Sequence, residues 1–408
     1  MLKDIRRNRV DVVIIVCVLI FAASSLLAVF SATFATESVI WNSTFSRQVL
    51  WIIMGLFIGA IITFIPPAWI ASSAYKLYII LIILLFLTYF MGSGVGSRRW
   101  LSILGLNIQV SEFMKPVLVV VLARFLAKDY RTPDRPDVLF AVSMLVFLPF
   151  ILVLQQPDLG TSLVYLVVLL PVFYWRGLSP FVIFVLCSPM ITFFASFNFW
   201  TFFIVILLIS AILYLSRRGR VFFTVVFLFN IAIGIIAPIA WNSLHVYQKQ
   251  RILTFLGLSS DPQGVGYQII QSKVAIGSGG LFGKGVLQGT QTQLRFLPAQ
   301  HTDFIFSVIA EELGFIGAIL LLAVFMIFLV RGIYIASTTK DQFTGLLTIG
   351  LVTVFAFQIV VNIGMTVGIM PVTGIPLPFI SYGGSSMLTC MIMAGLIANT
   401  SLHRYKLY

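Results

Sequence analysis

The stretch VVIIVCVLIFAASSLLAVFSATF, residues 12–34, runs for 23 residues without a charge. At 1.5 Å per residue a helix of that length reaches about 34 Å, enough to cross ~30 Å of hydrocarbon. It lacks the apolar–polar alternation of an outer-membrane strand, and it has neither the short apolar core nor the cleavage site of a signal peptide. Residues 12–34 therefore read as a membrane-spanning helix. The same texture recurs near 49–65, 74–92, 111–127, 137–155, 161–175, 180–197, 200–215, 221–241, 304–330, 343–368 and 385–402. Of the 408 residues 60% are hydrophobic and only 10% charged, against about a quarter charged in soluble domains. The chain is expected to be an all-α polytopic membrane protein of about 12 transmembrane helices, a single integral membrane domain over 1–408. Soluble, disordered and β-barrel classes are excluded.

The net charge of +13 would raise nucleic acid as a partner in a soluble chain. Here the charges are scattered over loops, and orientation in the bilayer explains them better, so no nucleic acid is expected. An even number of spans puts both termini on one side. The run Lys3, Arg6, Arg7, Arg9 makes that side the cytoplasm, and 17 of the 26 basic residues fall there. The opposite side holds 9, five of them in one long segment, residues 242–303, which is expected outside, in the periplasmic or extracellular space. That loop has eight glycines between Gly264 and Gly289, yet apolar pieces such as YQIIQSKVAIGSGGL argue against a free linker and for short amphipathic helices on the membrane surface. Cys17, Cys187 and Cys390 sit in apolar runs, and His245, His301 and His403 are too dispersed for a metal motif.

Ionisable groups in or beside spans cost several kcal/mol unless paired or hydrated, so each is a functional candidate. They gather in a few clusters. In GSRRWLSILGLNIQVSEFMKP, residues 96–116, Arg98 and Arg99 precede a helix start where Glu112 and Lys115 stand i,i+3 behind Ser111. This is either a surface ion pair with a snorkelling lysine or an anion site. In QQPDLGTS, residues 155–162, Asp158 can cap the helix after Pro157 or order nearby arginines. In residues 247–273, Asp261 stands before Pro262, a common turn starter, but Lys249, Arg251 and Lys273 flank it, and a carboxylate among cations stays ionised. Residues 289–314 bring Arg295, His301 and Asp303 into a helix that carries Glu311 and Glu312 about two turns inward. Two adjacent buried carboxylates require a cationic partner or a polar cavity. MPVTGIPLPFISYGGSS, residues 370–386, reads as a re-entrant loop, tolerated at depth only against protein or a wet cavity. With Arg47, these groups describe a cationic, outward-facing site suited to phosphate or pyrophosphate on an amphipathic ligand.

QPDLGTS, SEFMKP, GSRRW, PLPFISYGGSS and the run from Tyr247 to Gly314, in that order over almost the whole chain, resemble the SEDS family (shape, elongation, division and sporulation) of bacterial cell-wall polymerases. GTQTQLRFLPAQHTDFIF is more similar to the elongation branch than to the division branch. The resemblance implies a peptidoglycan glycosyltransferase in the cytoplasmic (inner) membrane. It would polymerise lipid II, an undecaprenyl-pyrophosphate-linked disaccharide pentapeptide, during cell elongation. Partners implied are a class B penicillin-binding protein transpeptidase and the elongation machinery. The family's loop aspartate matches Asp261, implied as general base, with a divalent cation (Mg2+ or Mn2+) as a possible assistant whose ligands are unknown. Arg98, Lys115 and Arg251 match positions for gripping pyrophosphate; Arg47, Asp158, Lys273, His301, Asp303 and Glu312 form a second tier.

SEDS proteins have about ten spans, so the surplus is expected as an inserted helical hairpin within 177–219. A lipid II flippase is the main rival reading, since broken helices and embedded charges suit a carrier. A non-catalytic scaffold that recruits a transpeptidase is a third.

Overall fold

The computed structural model describes residues 10–34, 44–92, 99–103, 106–128, 133–216, 219–243, 249, 253, 265–294 and 296–406. Asp261, Arg251 and Arg98 lie outside them. The elements are α1 Val12–Phe34, α2 Thr44–Phe64, α3 Pro67–Met91, β1 Leu101–Ile103, β2 Leu106–Ile108, α4 Val110–Lys128, α5 Pro136–Gln155, α6 Leu159–Arg176, α7 Pro180–Ala195, α8 Phe199–Leu215, α9 Arg220–Ser243, α10 Val265–Ser278, α11 Thr290–Gln293, α12 Ile305–Thr338, α13 Gln342–Thr366 and α14 Gly384–His403. Every stretch expected to span is helical. Among the described residues nine helices are long and apolar enough to cross a membrane: α1, α2, α3, α5, α6, α9, α12, α13 and α14. α7 and α8 are shorter and apolar. α4 carries Glu112, Lys115, Arg124 and Lys128, which sets its composition apart.

Local chemistry fixes the helix ends. Proline opens α3, α5 and α7 at the first turn, where its missing N–H has no intrahelical partner to lose. The Asp341 carboxylate accepts from Thr344 N (3.0 Å) to cap α13, and the Asn198 carbonyl accepts from Trp200 N (2.9 Å) to cap α8. At the end of α2, the Asn399 amide of α14 lies within hydrogen-bond distance of Ile62 O, Thr63 O and Ile65 O, carbonyls near the helix terminus, and so ties α14 to the place where α2 ends.

The chain divides into two compact units, residues 177–260 and the remainder. In the smaller unit α7, α8 and α9 pack together, so the 177–219 segment supplies two of three helices. Its buried polar link is Asn230, which takes the Thr192 hydroxyl on Oδ1 (2.8 Å) and donates to Ser188 Oγ (3.0 Å). Interhelical bonds of this kind pin register where lipid gives no hydrophobic drive between helices.

The larger unit is built around α13 and α14, which are mostly enclosed by protein, whereas α2 and α3 turn most of their surface outward. α14 lies against α2 at the distance of small residues: a Cβ on Gly59 would come within 2.9 Å of Met391 O. The 370–386 loop enters this core. Phe379 stacks on Phe21 (5.2 Å between ring centres) and Phe355 (5.1 Å), with Phe325 and Phe328 completing the cluster.

α12 is interrupted at Gly314 (φ 68°, ψ −168°), and the break is closed from outside the helix. Lys284 N and Gly285 N donate to Glu311 O and Glu312 O (both 3.0 Å); Phe315 N and Ile316 N donate to Gly280 O (2.9 Å) and Leu281 O (3.2 Å). Residues 279–285 thus replace the ladder bonds that the break removes, and Gly314 faces their backbone with no room for a side chain. Ser272 Oγ donates to Thr366 O (2.6 Å) and meets Ser307 Oγ (2.6 Å), holding α10 to α12 and α13. The Gly314→Ala substitution is expected to cost on the order of 3 kcal/mol, from the Gly-only backbone region plus the clash. Thermal unfolding of the purified protein would show it as a lowered midpoint.

Candidate functional site

One end of the larger unit concentrates polar side chains, and the 370–386 loop is the piece they share. α4 begins there. Its Lys115 Nζ lies 2.6 Å from Glu112 Oε1, an i,i+3 pair whose side chains are 1% and 4% exposed. The helix spacing alone brings the two together. Just ahead of them Gln109 bridges three elements: its backbone N–H donates to Ser385 Oγ of α14 (3.0 Å), and its side-chain amide donates to Ser111 Oγ (3.1 Å) and to Asp158 Oδ2 (3.1 Å). Asp158 also accepts from Thr161 N (3.2 Å), so it caps α6 and joins the network at once. The buried Tyr165 hydroxyl of α6 donates to Ser111 O (2.8 Å). Arg99, in the segment leading into the β1–β2 hairpin, donates through Nε to Gln156 O (3.2 Å) and through Nη2 to Pro157 O.

The loop forms the next layer. Gly160 of α6 sits against Thr373 and Ile375, and the Asp303 carboxylate lies beside Gly374. Asn362 of α13 donates to Asp303 O (3.0 Å) and Ile375 O (2.8 Å). The His301 ring meets the Tyr382 ring edge-on at 5.8 Å, and Tyr382 N donates to His301 O (2.9 Å). Ser381 Oγ donates to Thr302 O (2.6 Å). From α2, Gln48 donates to Ser25 Oγ (2.9 Å) and Ser381 O (3.4 Å), while Ser25 Oγ donates to Ile380 O (2.9 Å). Irregular backbone in this loop thereby finds partners on α1, α2 and α13.

The carboxylates of α12 do something else. Glu311, fully buried, accepts from Lys284 Nζ (2.9 Å), Gln291 N (2.9 Å), Thr292 N (3.1 Å) and Thr292 Oγ1 (2.8 Å). Glu312 accepts from the Ser31 hydroxyl of α1 and from Leu287 N (3.2 Å). Both therefore tie residues 284–292 down onto α12 and α1, and Lys284 is the cationic partner that Glu311 requires.

Of the residues read from sequence, Asp158, Asp303 and His301 gather around the loop, and Lys115 is paired with Glu112 on α4, whose start Gln109 joins to the loop's end at Ser385. Glu312 belongs to the neighbouring clamp. Arg47, in the first turn of α2, and Lys273, on α10 with its aliphatic chain over Gly368, are exposed. Sequence reasoning named neither Gln109, Gln48, Asn362 nor Tyr165, uncharged groups whose only signal was polarity inside apolar runs. It quoted Arg99 without assigning it a role. No three His, Cys, Asp or Glu among the described residues come together as a metal would need. The geometry offers one buried ion pair, two exposed cations, and carboxylates held in fixed positions.

The family model described as "Cell cycle protein" (FTSW_RODA_SPOVE) matches residues 11–203 and 178–406. The peptidoglycan glycosyltransferase MrdB of Escherichia coli (strain K12) is 38% identical over 380 residues, 90% of each chain. The peptidoglycan glycosyltransferase RodA of Treponema pallidum (strain Nichols) is 31% identical over 422 residues, covering 95% of this chain and 96% of that protein. Among solved structures, a chain from a peptidoglycan synthase complex that coordinates polymerization and crosslinking superposes with a TM-score of 0.72 at 28% identity, covering 97% of this chain and 99% of that one. The rod shape determining protein RodA of Thermus thermophilus gives 0.63 at 26% identity, over 97% and 98%. Matched from Asp11 to Lys406 by one family model, the chain belongs to the FtsW/RodA/SpoVE family of cell cycle proteins, the SEDS family.

Proposed function

We propose that this membrane protein is a peptidoglycan glycosyltransferase that polymerises lipid II into glycan strands during elongation, working beside a class B transpeptidase. The observation that supports it most is the convergence of Asp158, Asp303 and His301 on one loop, beside the buried Lys115–Glu112 pair of α4, in a chain alike over nine-tenths or more of its length to MrdB and RodA. The polar end is taken as the outer one, both termini as cytoplasmic, and the chain as crossing about twelve times, α7 and α8 forming the added hairpin.

In this reading Asp261 accepts the proton of the acceptor sugar's 4-hydroxyl as its oxygen attacks C1 of the donor sugar. The C1–O bond to pyrophosphate breaks, the new glycosidic bond forms, and undecaprenyl pyrophosphate leaves with the electron pair. Cations that meet the leaving diphosphate as its charge grows lower the barrier. Arg98, Arg251 and Lys115 are assigned that role. Lys115 carries three N–H donors, of which Glu112 takes one, so two are left to reach an anion without breaking the pair. Arg47 and Lys273 would draw the diphosphate in, while Asp158, Asp303 and Glu312 hold the frame. A divalent cation, Mg2+ or Mn2+, would add positive charge against the departing diphosphate; among the described residues no three His, Cys, Asp or Glu come together to hold one.

The direct test is polymerisation of purified lipid II by the protein with its transpeptidase partner. Wild type is expected to make polymer, and Asp261→Ala, matched for folding, to lose about 100-fold or more of the rate. Equal polymer from both removes Asp261 as the base; translocation without any polymer turns the assignment to a lipid II flippase.

A second measurement separates charge from packing at the centre. Lys115→Met strands the Glu112 carboxylate and is expected to destabilise by about 3–5 kcal/mol. Adding Glu112→Leu should restore much of the thermal stability but not the polymerisation rate. Recovery of both would make the pair a structural device only.

A further inference from the structure

Glu311 and Glu312 stand side by side on α12, yet only the first is given a cation. Lys284 Nζ spends its three N–H groups on Glu311 Oε1 (2.9 Å), Ser278 Oγ (2.7 Å) and Thr290 Oγ1 (2.7 Å), so none is left for Glu312. Glu312 is 4% exposed. Its two hydrogen bonds, from the Ser31 hydroxyl and from Leu287 N, both end on Oε1. Among the described residues Oε2 has no hydrogen-bond partner and the carboxyl has no ion pair. A carboxylate enclosed within a membrane-spanning unit calls for a cation, and the described residues around Glu312 bring it neutral groups alone.

The open space beside it faces lipid. Glu312 lines a groove of about 200 Å³ between α1, α12 and Val286, and Ser24 is the other polar side chain in that lining. Leu27, Leu313 and Leu320 form its rim and are exposed. From Glu312 to Val324 the groove follows α12 for about 18 Å, against ~15 Å for the hydrocarbon of one leaflet. Its volume is far below that of a helix of this length, about 10 Å across with side chains, but an alkyl chain fits it. The carboxyl stands where headgroups meet hydrocarbon: Ser31, which donates to it, lies about 5 Å inside the end of α1 at Phe34. We infer that the groove seats one chain of an aminophospholipid from the leaflet at this end of α1, and that the lipid's ammonium donates to Glu312 Oε2 and supplies the missing cation. An ammonium brings both the positive charge and the N–H groups that the carboxyl lacks. A trimethylated head has no proton to donate, and a head of net negative charge is repelled.

Native mass spectrometry of the delipidated full-length protein tests this, with phosphatidylethanolamine, phosphatidylcholine and phosphatidylglycerol of identical chains as the probes. Wild type should retain phosphatidylethanolamine at about one-tenth of the concentration that either other lipid needs, the size of one hydrogen bond to a charged group. Glu312→Gln keeps an oxygen for Ser31 and Leu287 but removes the charge, and should bring the three lipids within about twofold of one another. Ser24→Phe and, separately, Leu320→Trp fill the groove from α1 and from α12 and leave Glu312 in place; each should lower phosphatidylethanolamine retention about tenfold. Thermal unfolding identifies the variants that fold, and the two groove variants decide the matter should Glu312→Gln not be among them. Equal retention of the three lipids by wild type, a preference that survives Glu312→Gln, or adducts unchanged in both groove variants overturns the inference. Phosphatidylglycerol held as tightly as phosphatidylethanolamine assigns the groove to a hydroxyl donor and overturns the ammonium. Polymerisation does not enter the readout, so failure here leaves the enzymatic reading standing.

Discussion

Backbone at membrane depth has no water to bond with, and this constraint organises the larger unit. Two segments break the helical pattern there, the 370–386 loop and the interruption at Gly314, and each is met by a neighbour brought in for the purpose. Gln48, Ser25, Asn362 and the loop's own Ser381 supply the first. Residues 279–285 supply the second through four backbone hydrogen bonds. Leaving even one such group unmet would cost several kcal/mol, so the non-helical backbone and its partners form a single object. Phe379 then fixes the loop in place by stacking within a five-ring cluster drawn from the loop, α1, α12 and α13.

How much of this was legible follows from the range of each signal. Spans announce themselves by length and lack of charge, and all twelve expected stretches are helical. Local pairings were legible too. Glu112 and Lys115 are three residues apart on one helix face, and Asp158 stands directly ahead of the helix that it caps. The existence of a partner for Glu311 could be argued from the cost of a buried carboxylate, but its identity could not. Lys284 stands 27 residues away, and nothing in a one-dimensional pattern links the two. The glycines at 279, 280, 283 and 285 were visible as a cluster and were read as surface-loop texture. Their reason is close approach to a broken helix, which is a property of two segments at once. The β1–β2 hairpin escaped notice because each arm is only three residues long, LSI and LNI, too short for the alternation of Ser102 and Asn107 with their apolar neighbours to stand out.

The placement of charge makes a division between the buried and the exposed parts of the candidate site. A cation sealed in the unit without a partner would cost more than the fold could sustain, and the described cations there are matched accordingly: Lys115 by Glu112, Lys284 by Glu311, Arg99 by two carbonyls. Arg47 and Lys273 are exposed instead, where water screens them and an approaching anion meets them first. A ligand carrying a diphosphate would pass from weakly binding, hydrated cations to a strongly oriented one already neutralised at rest. On the proposed function such an arrangement would limit attraction in the ground state and reserve the stronger interaction for negative charge that grows on the departing diphosphate, which is the condition under which binding energy accelerates a reaction instead of deepening a resting complex.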